Sequence, residues 1–245
     1  MIAEKYPDGM LFEAVRPTDG IMLPNAQRRL YVEKALGNLG NRFSGDKIDT
    51  QVGTAQGVRR AAAYALRDVY PQLVETDADV DYRTSTLAAD NLGIFADLIN
   101  KDLVSMLQNS DLKGALSEVA VLKTFWSAIA DGYLESGYAL MPSAARTARQ
   151  NSGTVSRDID IYGKTYGKPF YLQVKTSDHF KRDYGKGITV VSAEELVSDT
   201  RLGSATTYLL QLHHRPIAQR EPIYRHLLNR LDVEPREIHD LPEAV

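Results

Sequence analysis

The stretch RDIDIYGKTYGKPFYLQVKTS, residues 157–177, carries the strongest chemical signal in the chain. Side chains alternate along a strand, so Asp158 and Asp160 share one face, and Ile159 and Ile161 the other. In the next run Gln173 and Lys175 share a face, opposite Phe170, Leu172 and Val174. Gly163 and Gly167 bracket a polar turn, as a hairpin connection requires. A hairpin symmetric about that turn sets Asp160 beside Gln173 and Asp158 beside Lys175. A one-residue slip would move one strand's polar set to the other face. Two acids, an amide oxygen and a lysine on one sheet face make either a salt-bridged surface or a site for a hard divalent ion with a cation next to it. The backbone carbonyl of Val174 offers one more oxygen.

A further acid stands upstream. Ala115, Glu118, Leu122, Phe125 and Ile129 follow the 3-4 spacing of a buried helical stripe, which predicts an amphipathic helix over 113–131. Glu118 interrupts that stripe. A carboxylate in such a place takes a cation, pairs with an arginine or reaches the solvent from the stripe's edge.

These residues need elements to hold them. Runs of β character lie at 137–142, 157–162, 169–176 and 206–213. Between the last two, Ser192-Ala-Glu-Glu195 is a capping-box pattern that opens a short helix. The order after residue 110 is therefore helix, three strands, helix, strand. EPIYRHLLNRL then reads as a C-terminal helix before a polar tail. The first 110 residues read as helical. NAQRRLYVEKALGNLG follows Pro24, TAQGVRRAAAYALRDVY is Ala-rich, and Leu87 to Leu107 repeats apolar residues at helical spacing. The polar ETDADVDYRTS reads as a loop. This divides the chain into a helical region at 1–110, a core at 111–216 and a C-terminal helix and tail at 217–245. Arg59-Arg60 fits an exposed helix face or a phosphate contact. His213-His214, placed on a strand, point to opposite faces and cannot share a metal from there.

Composition removes several function classes. The 245 residues hold 29 Lys+Arg against 32 Asp+Glu, a net charge of −3, which argues against a protein that coats nucleic acid through bulk charge. The balance is uneven, because residues 140–190 hold nine Lys+Arg against four Asp+Glu. With zero Cys there is no disulfide, thiolate metal site or cysteine nucleophile. No apolar run approaches the roughly 18 residues of a membrane span, and no signal peptide is apparent, so the expected setting is the cytoplasm with no membrane partner. P-loop, H-E-x-x-H and G-x-S-x-G patterns are absent from the sequence.

Glu118 on a helix, Asp160 on a strand and Gln173-x-Lys175 on the next strand together resemble the PD-(D/E)xK nuclease superfamily. The phrase D-I-D followed by Q-V-K-T-S is similar to YraN-type and Holliday-junction-resolvase-type members. Gln173 in place of the usual Glu is a departure, and resembles the variant of TnsA-type transposon-end nucleases. The resemblance covers roughly residues 111–215. It implies an α/β fold with a restriction-endonuclease-like α-β-β-β-α-β core, a mixed central sheet and an appended helical N-terminal region. It implies an endonuclease that hydrolyses DNA phosphodiester bonds with Mg²⁺, or Mn²⁺ as a substitute. Asp160 would be the principal metal ligand, joined by Glu118, the Gln173 side-chain oxygen and the Val174 carbonyl. Lys175 would orient or help deprotonate the attacking water and stabilise the phosphorus centre. Asp158 would be accessory, either ligating a second metal or pairing with Lys175. Arg146, Arg149, Arg157, Lys164, Lys168, Lys181, Arg182 and Lys186 would contact DNA phosphates. Restriction or defence is the favoured setting, since residues 1–110 could carry target or partner recognition, and a homodimer would suit cutting of two strands. The alternative is a catalytically silent nucleic-acid-binding or assembly subunit on the same fold.

Overall fold

The longest element is a helix over Ser110–Ala130, and its neighbours are built around it. A computed structural model describes residues 55–66, 82–100, 103–141, 159–177, 187–197 and 204–235. Within these residues the order is α1 (Ala55–Ala65), α2 (Tyr82–Ile99), α3 (Leu103–Met106), α4 (Ser110–Ala130), β1 (Gly137–Leu140), β2 (Ile161–Thr165), β3 (Lys168–Lys175), β4 (Thr189–Ser192), α5 (Ala193–Leu196), α6 (Ala205–Leu210), a 3-10 turn (Leu212–His214) and α7 (Ile217–Arg230). The architecture is mixed α/β, with four strands in one mixed sheet and helices packed against it.

The start of α4 is set by Asn109, whose side chain accepts from the N–H groups of Asp111 and Leu112 at 3.0 and 3.2 Å. That satisfies two of the N–H groups every helix start leaves without a partner. From Ala115 to Ile129 every residue of α4 is buried, the polar Ser117, Glu118, Lys123, Thr124 and Ser127 included. A single amphipathic stripe is thus not what forms. Helices α1, α2, α6 and α7 and the sheet all pack against α4, so no face is left for water. Ser117 and Thr206 share a hydroxyl hydrogen bond of 2.8 Å that fixes α6 against α4. Thr124 returns its hydroxyl to the Ala120 carbonyl, so its polarity is spent within the helix. One apolar cluster runs from Val58 on α1 through Phe95, Phe125 and Trp126 to Leu172 on β3 and Leu228 on α7. Val58, Ala62, Leu66 and Leu92, all from the region before residue 110, belong to this same cluster.

The sheet runs β1-β2-β3-β4. The first two pairings are antiparallel and β3–β4 is parallel. In the β2–β3 hairpin Ile161 faces Leu172 and Thr165 faces Lys168, the symmetric register expected from the sequence. The turn is shorter than expected. Tyr166 and Gly167 alone form it, with φ of 45° and 76°, the left-handed pair of a two-residue hairpin turn. Gly163 therefore lies inside β2, opposite Phe170. A Cβ on Gly163 would stand 2.0 Å from the Tyr138 carbonyl oxygen and 2.5 Å from the Phe170 ring. Gly163→Ala should accordingly cost about 3 kcal/mol, read as a lower urea midpoint from the fluorescence of Trp126. An unchanged midpoint would mean that the strand does not run this close to β1.

Two expectations fail here for one reason. TTYLLQLH, residues 206–213, is helix α6 running into the 3-10 turn, not a strand. Thr206, Tyr208, Leu209, Leu210 and Leu212 are buried, and consecutive burial of Leu209 and Leu210 suits a helix wedged between others better than a one-sided strand. The fourth strand is instead Thr189–Ser192, paired parallel to β3 from Leu172–Thr189 to Lys175–Ser192. The capping box at Ser192 and Glu195 is present, but its helix α5 follows the fourth strand rather than preceding it. The expected loop at 75–85 also gives way, since α2 already begins at Tyr82. The helix expected after Pro24 lies outside the described residues.

Candidate active site

Asp160 stands one residue before β2 and continues its ladder, its N–H donating to the Leu172 carbonyl at 2.9 Å. That bond extends the hairpin register and brings Asp160 next to Gln173. Gln173 Nε2 donates to Asp160 Oδ2 at 2.5 Å, and the Val174 N–H donates to the same oxygen at 2.9 Å. The Val174 contact shown is thus its N–H on Asp160. Gln173 is buried, and its Oε1 has no hydrogen-bond partner among the described residues. A buried amide oxygen without a partner carries a desolvation cost, so this atom is prepared to accept something.

Glu118 reaches the same place from the third turn of α4. It is 5% exposed, which settles that it does not escape to solvent. Its partner is Arg59 on α1. Arg59 Nε donates to Glu118 Oε2 at 2.7 Å, and Nη2 donates to Oε1, a two-pronged pair. The arginine alternative for Glu118 is therefore realised, and Arg59 is neither an exposed face residue nor a bare phosphate contact. The position of α1 is fixed by Asn91 of α2, whose Nδ2 donates to the Ala65 carbonyl at 2.9 Å. Nothing local in the sequence signals the Arg59–Glu118 pairing, which spans 59 positions.

Electrostatics joins these groups into one unit. Burial first, and then the Glu118 carboxylate, push the Asp160 carboxyl up to about 7. The Val174 N–H, Arg59 and Lys175 pull the other way without overcoming those two. Lys175 is thus close enough to act on Asp160 from the end of β3. An acid that is half protonated near neutrality, beside a second buried carboxylate and an unsatisfied amide oxygen, is a set of hard oxygen donors.

The structure brings Glu118, Asp160, Gln173, Val174 and Lys175 together. It does not bring the basic residues of the hairpin to them. Lys164 and Lys168 sit at the turn end, where they pair with Pro169 and Thr165, while Asp160 and Lys175 lie at the open end. Asp160 and Lys164 stand four positions apart along the strand, about 13 Å. Asp158, Arg146, Arg149, Arg157, Lys181, Arg182 and Lys186 lie outside the described residues.

The chain matches no protein-family model, no curated protein and no solved structure. What it does must therefore be argued from this arrangement of side chains. Removing the arginine is the direct probe of how the site is balanced. Arg59→Ala leaves Glu118 buried without its cation and should lower stability by about 3 kcal/mol in chelator, measured by urea unfolding. A loss under about 0.5 kcal/mol would place the pair among exposed, weak ones.

Proposed function

We propose that this chain is a divalent-metal-dependent endonuclease that hydrolyses phosphodiester bonds in DNA, on a restriction-endonuclease-like core. One observation carries the reading: Asp160, Glu118 and a Gln173 Oε1 without a partner among the described residues meet beside Lys175 at the open end of a hairpin. The sheet, antiparallel but for its last pair, with α4 against it, is compatible with that core. Restriction or defence remains the favoured setting.

When bound, Mg²⁺ supplies charge neutralisation at the phosphate and a water acidified for attack. Glu118, Asp160 and Gln173 Oε1 are the side chains that would hold it. Asp160 must give up its proton to do so, whereas Gln173 can offer Oε1 while its Nε2 keeps the hydrogen bond to Asp160 Oδ2. Glu118 must share its carboxylate with, or release, Arg59. Lys175 supplies a fixed positive charge next to Asp160, where it can hold a phosphate oxygen and orient the attacking water. Because Gln173 brings no charge, the protein's own oxygens would hold the ion weakly without substrate phosphate.

A second reading has its own support. The Arg59–Glu118 pair already satisfies the buried acid without any metal, as a silent DNA-binding or assembly subunit would require. Plasmid nicking separates the two. The nuclease reading expects supercoiled DNA to be cut with Mg²⁺ or Mn²⁺ and to stay intact in chelator. Folded protein that binds DNA but leaves it uncut with either ion would support the silent subunit.

A further inference from the structure

A second polar group lies on α2 and the 3-10 turn. Asp97 Oδ1 is 3.2 Å from His213 Nε2 and 2.7 Å from His214 Nε2. The three ligand atoms all lie within 4.8 Å of one another. Two consecutive histidines reach one carboxylate because Leu212–His214 is a 3-10 turn. On a strand the same two rings would face opposite ways, so the helical outcome at 206–214 removes the objection raised by the sequence. The rings instead lie side by side, with centroids 3.9 Å apart. Gly93 makes room for them, since a Cβ there would stand 3.2 Å from His213 Cδ2.

A hydrogen-bonded tie between the turn and α2 would need only one imidazole. Here two imidazole nitrogens converge on a single carboxylate oxygen. Ligands of a tetrahedral zinc ion at about 2.0–2.1 Å are separated by about 3.3 Å. Both oxygen–nitrogen separations, 3.2 and 2.7 Å, fall short of that value, so the donors would part by a few tenths of an ångström to take an ion between them. The donor set is two imidazoles and one carboxylate, which suits zinc and its neighbours rather than Mg²⁺. Asp97 and His214 are exposed, so a fourth position stays open to solvent. Among the described residues, Lys123 acts on His213 and Arg215 directly follows His214 in the chain. Arg215 lies over the Tyr208 ring, 5.0 Å from its centroid, so Lys123 and Arg215 are charges a bound ion must tolerate.

We propose that Asp97, His213 and His214 form a surface site for one divalent transition-metal ion of the zinc class, which pins α2 to the turn before α7. The site is separate from Glu118 and Asp160 in both residues and donor chemistry, and does not depend on nuclease activity.

The test is Co²⁺ titration of untagged, chelator-treated protein, followed by visible absorption. The expected result is one Co²⁺ per chain with the intense band of four-coordinate cobalt, displaced by one equivalent of Zn²⁺ and not by millimolar Mg²⁺. His214→Ala removes an exposed ring, so the fold should survive, and it should weaken Co²⁺ binding at least tenfold. Asp97→Asn should do the same. Asp160→Asn should leave the band unchanged, which separates this site from the one on the hairpin. Absence of the band, or a band that persists in His214→Ala, would overturn the proposal and leave the cluster a hydrogen-bonded tie.

Discussion

Asp160→Ala and Lys175→Ala should each lower Mg²⁺-supported plasmid nicking by at least about 100-fold, while DNA binding in chelator stays within a few-fold of the parent chain. The two losses have different causes. Asp160 is the acid that both Gln173 and the Val174 N–H point at, so its removal dismantles the oxygen set. Lys175 is a cation at the end of β3 that acts on the Asp160 carboxyl, so its removal takes positive charge away from the reacting phosphate and from Asp160. The Mg²⁺ requirement should also depend on pH, in a direction set by Asp160. Burial and Glu118 hold that carboxyl near 7, and only its ionised form accepts a metal. The Mg²⁺ concentration for half-maximal nicking should therefore fall as pH rises from 6 to 7, and level off above about 8. Gln173→Glu adds the charge that the amide lacks and should shift the half-maximal Mg²⁺ lower at pH 8. Cutting that survives in both alanine variants would sink the assignment, and a Mg²⁺ requirement flat across pH 6–8 would remove Asp160 from the metal's ligands.

The hairpin was legible because its register rests on a local device. Period-two alternation on both sides of a glycine-containing polar turn leaves one pairing that keeps Phe170, Leu172 and Val174 in the core, so Asp160 had to fall beside Gln173. Glu118 was legible as a misfit, a carboxylate among apolar residues at helical spacing. What occupies it was not, because Arg59 arrives from another helix through tertiary packing alone. The failure at 206–213 has the same origin. Thr206, Thr207 and Tyr208 are good strand formers, and only the crowding of α6 between α4 and α5 makes consecutive burial of Leu209 and Leu210 favourable in a helix. That error also hid the Asp97–His213–His214 cluster, since it sent adjacent histidines apart. The strand Thr189–Ser192 has four residues and runs straight into a capping box, so its helix signal masked it.

Lys123→Met should stabilise the protein at pH 6 by about 3 kcal/mol, and the gain should shrink as pH rises towards 10. Lys123 sits in the middle of α4 with no exposed surface, and its Nζ has no hydrogen-bond partner among the described residues. Burial pulls the ammonium down to about 7, with Arg220 adding to the fall and Asp97 and Asp131 opposing it too weakly to restore it. The ordinary value is 10.5. Between about 7 and 10.5 the unfolded chain holds this proton and the folded chain does not. Wild-type stability attributable to Lys123 must then rise with pH across that window, because the unfolded state binds more protons there. Below 7 both states are protonated and the full cost of the buried charge, on the order of 5 kcal/mol, is present. Methionine is unbranched, of similar length, and adaptable enough to fill the same channel without a charge. The comparison is made by urea unfolding at pH 6, 8 and 10, with Trp126 as the reporter. Subtracting variant from parent cancels the other titrating groups, among them Tyr224, whose hydroxyl burial and Asp131 hold protonated. A difference that stays constant from pH 6 to 10 would mean that Lys123 keeps its charge in the folded protein. If the difference falls away with pH, the centre of α4 carries a neutral amine near pH 8, close behind His213. The same substitution should then tighten Co²⁺ binding at the Asp97 cluster at pH 6, by removing a positive charge that acts on His213.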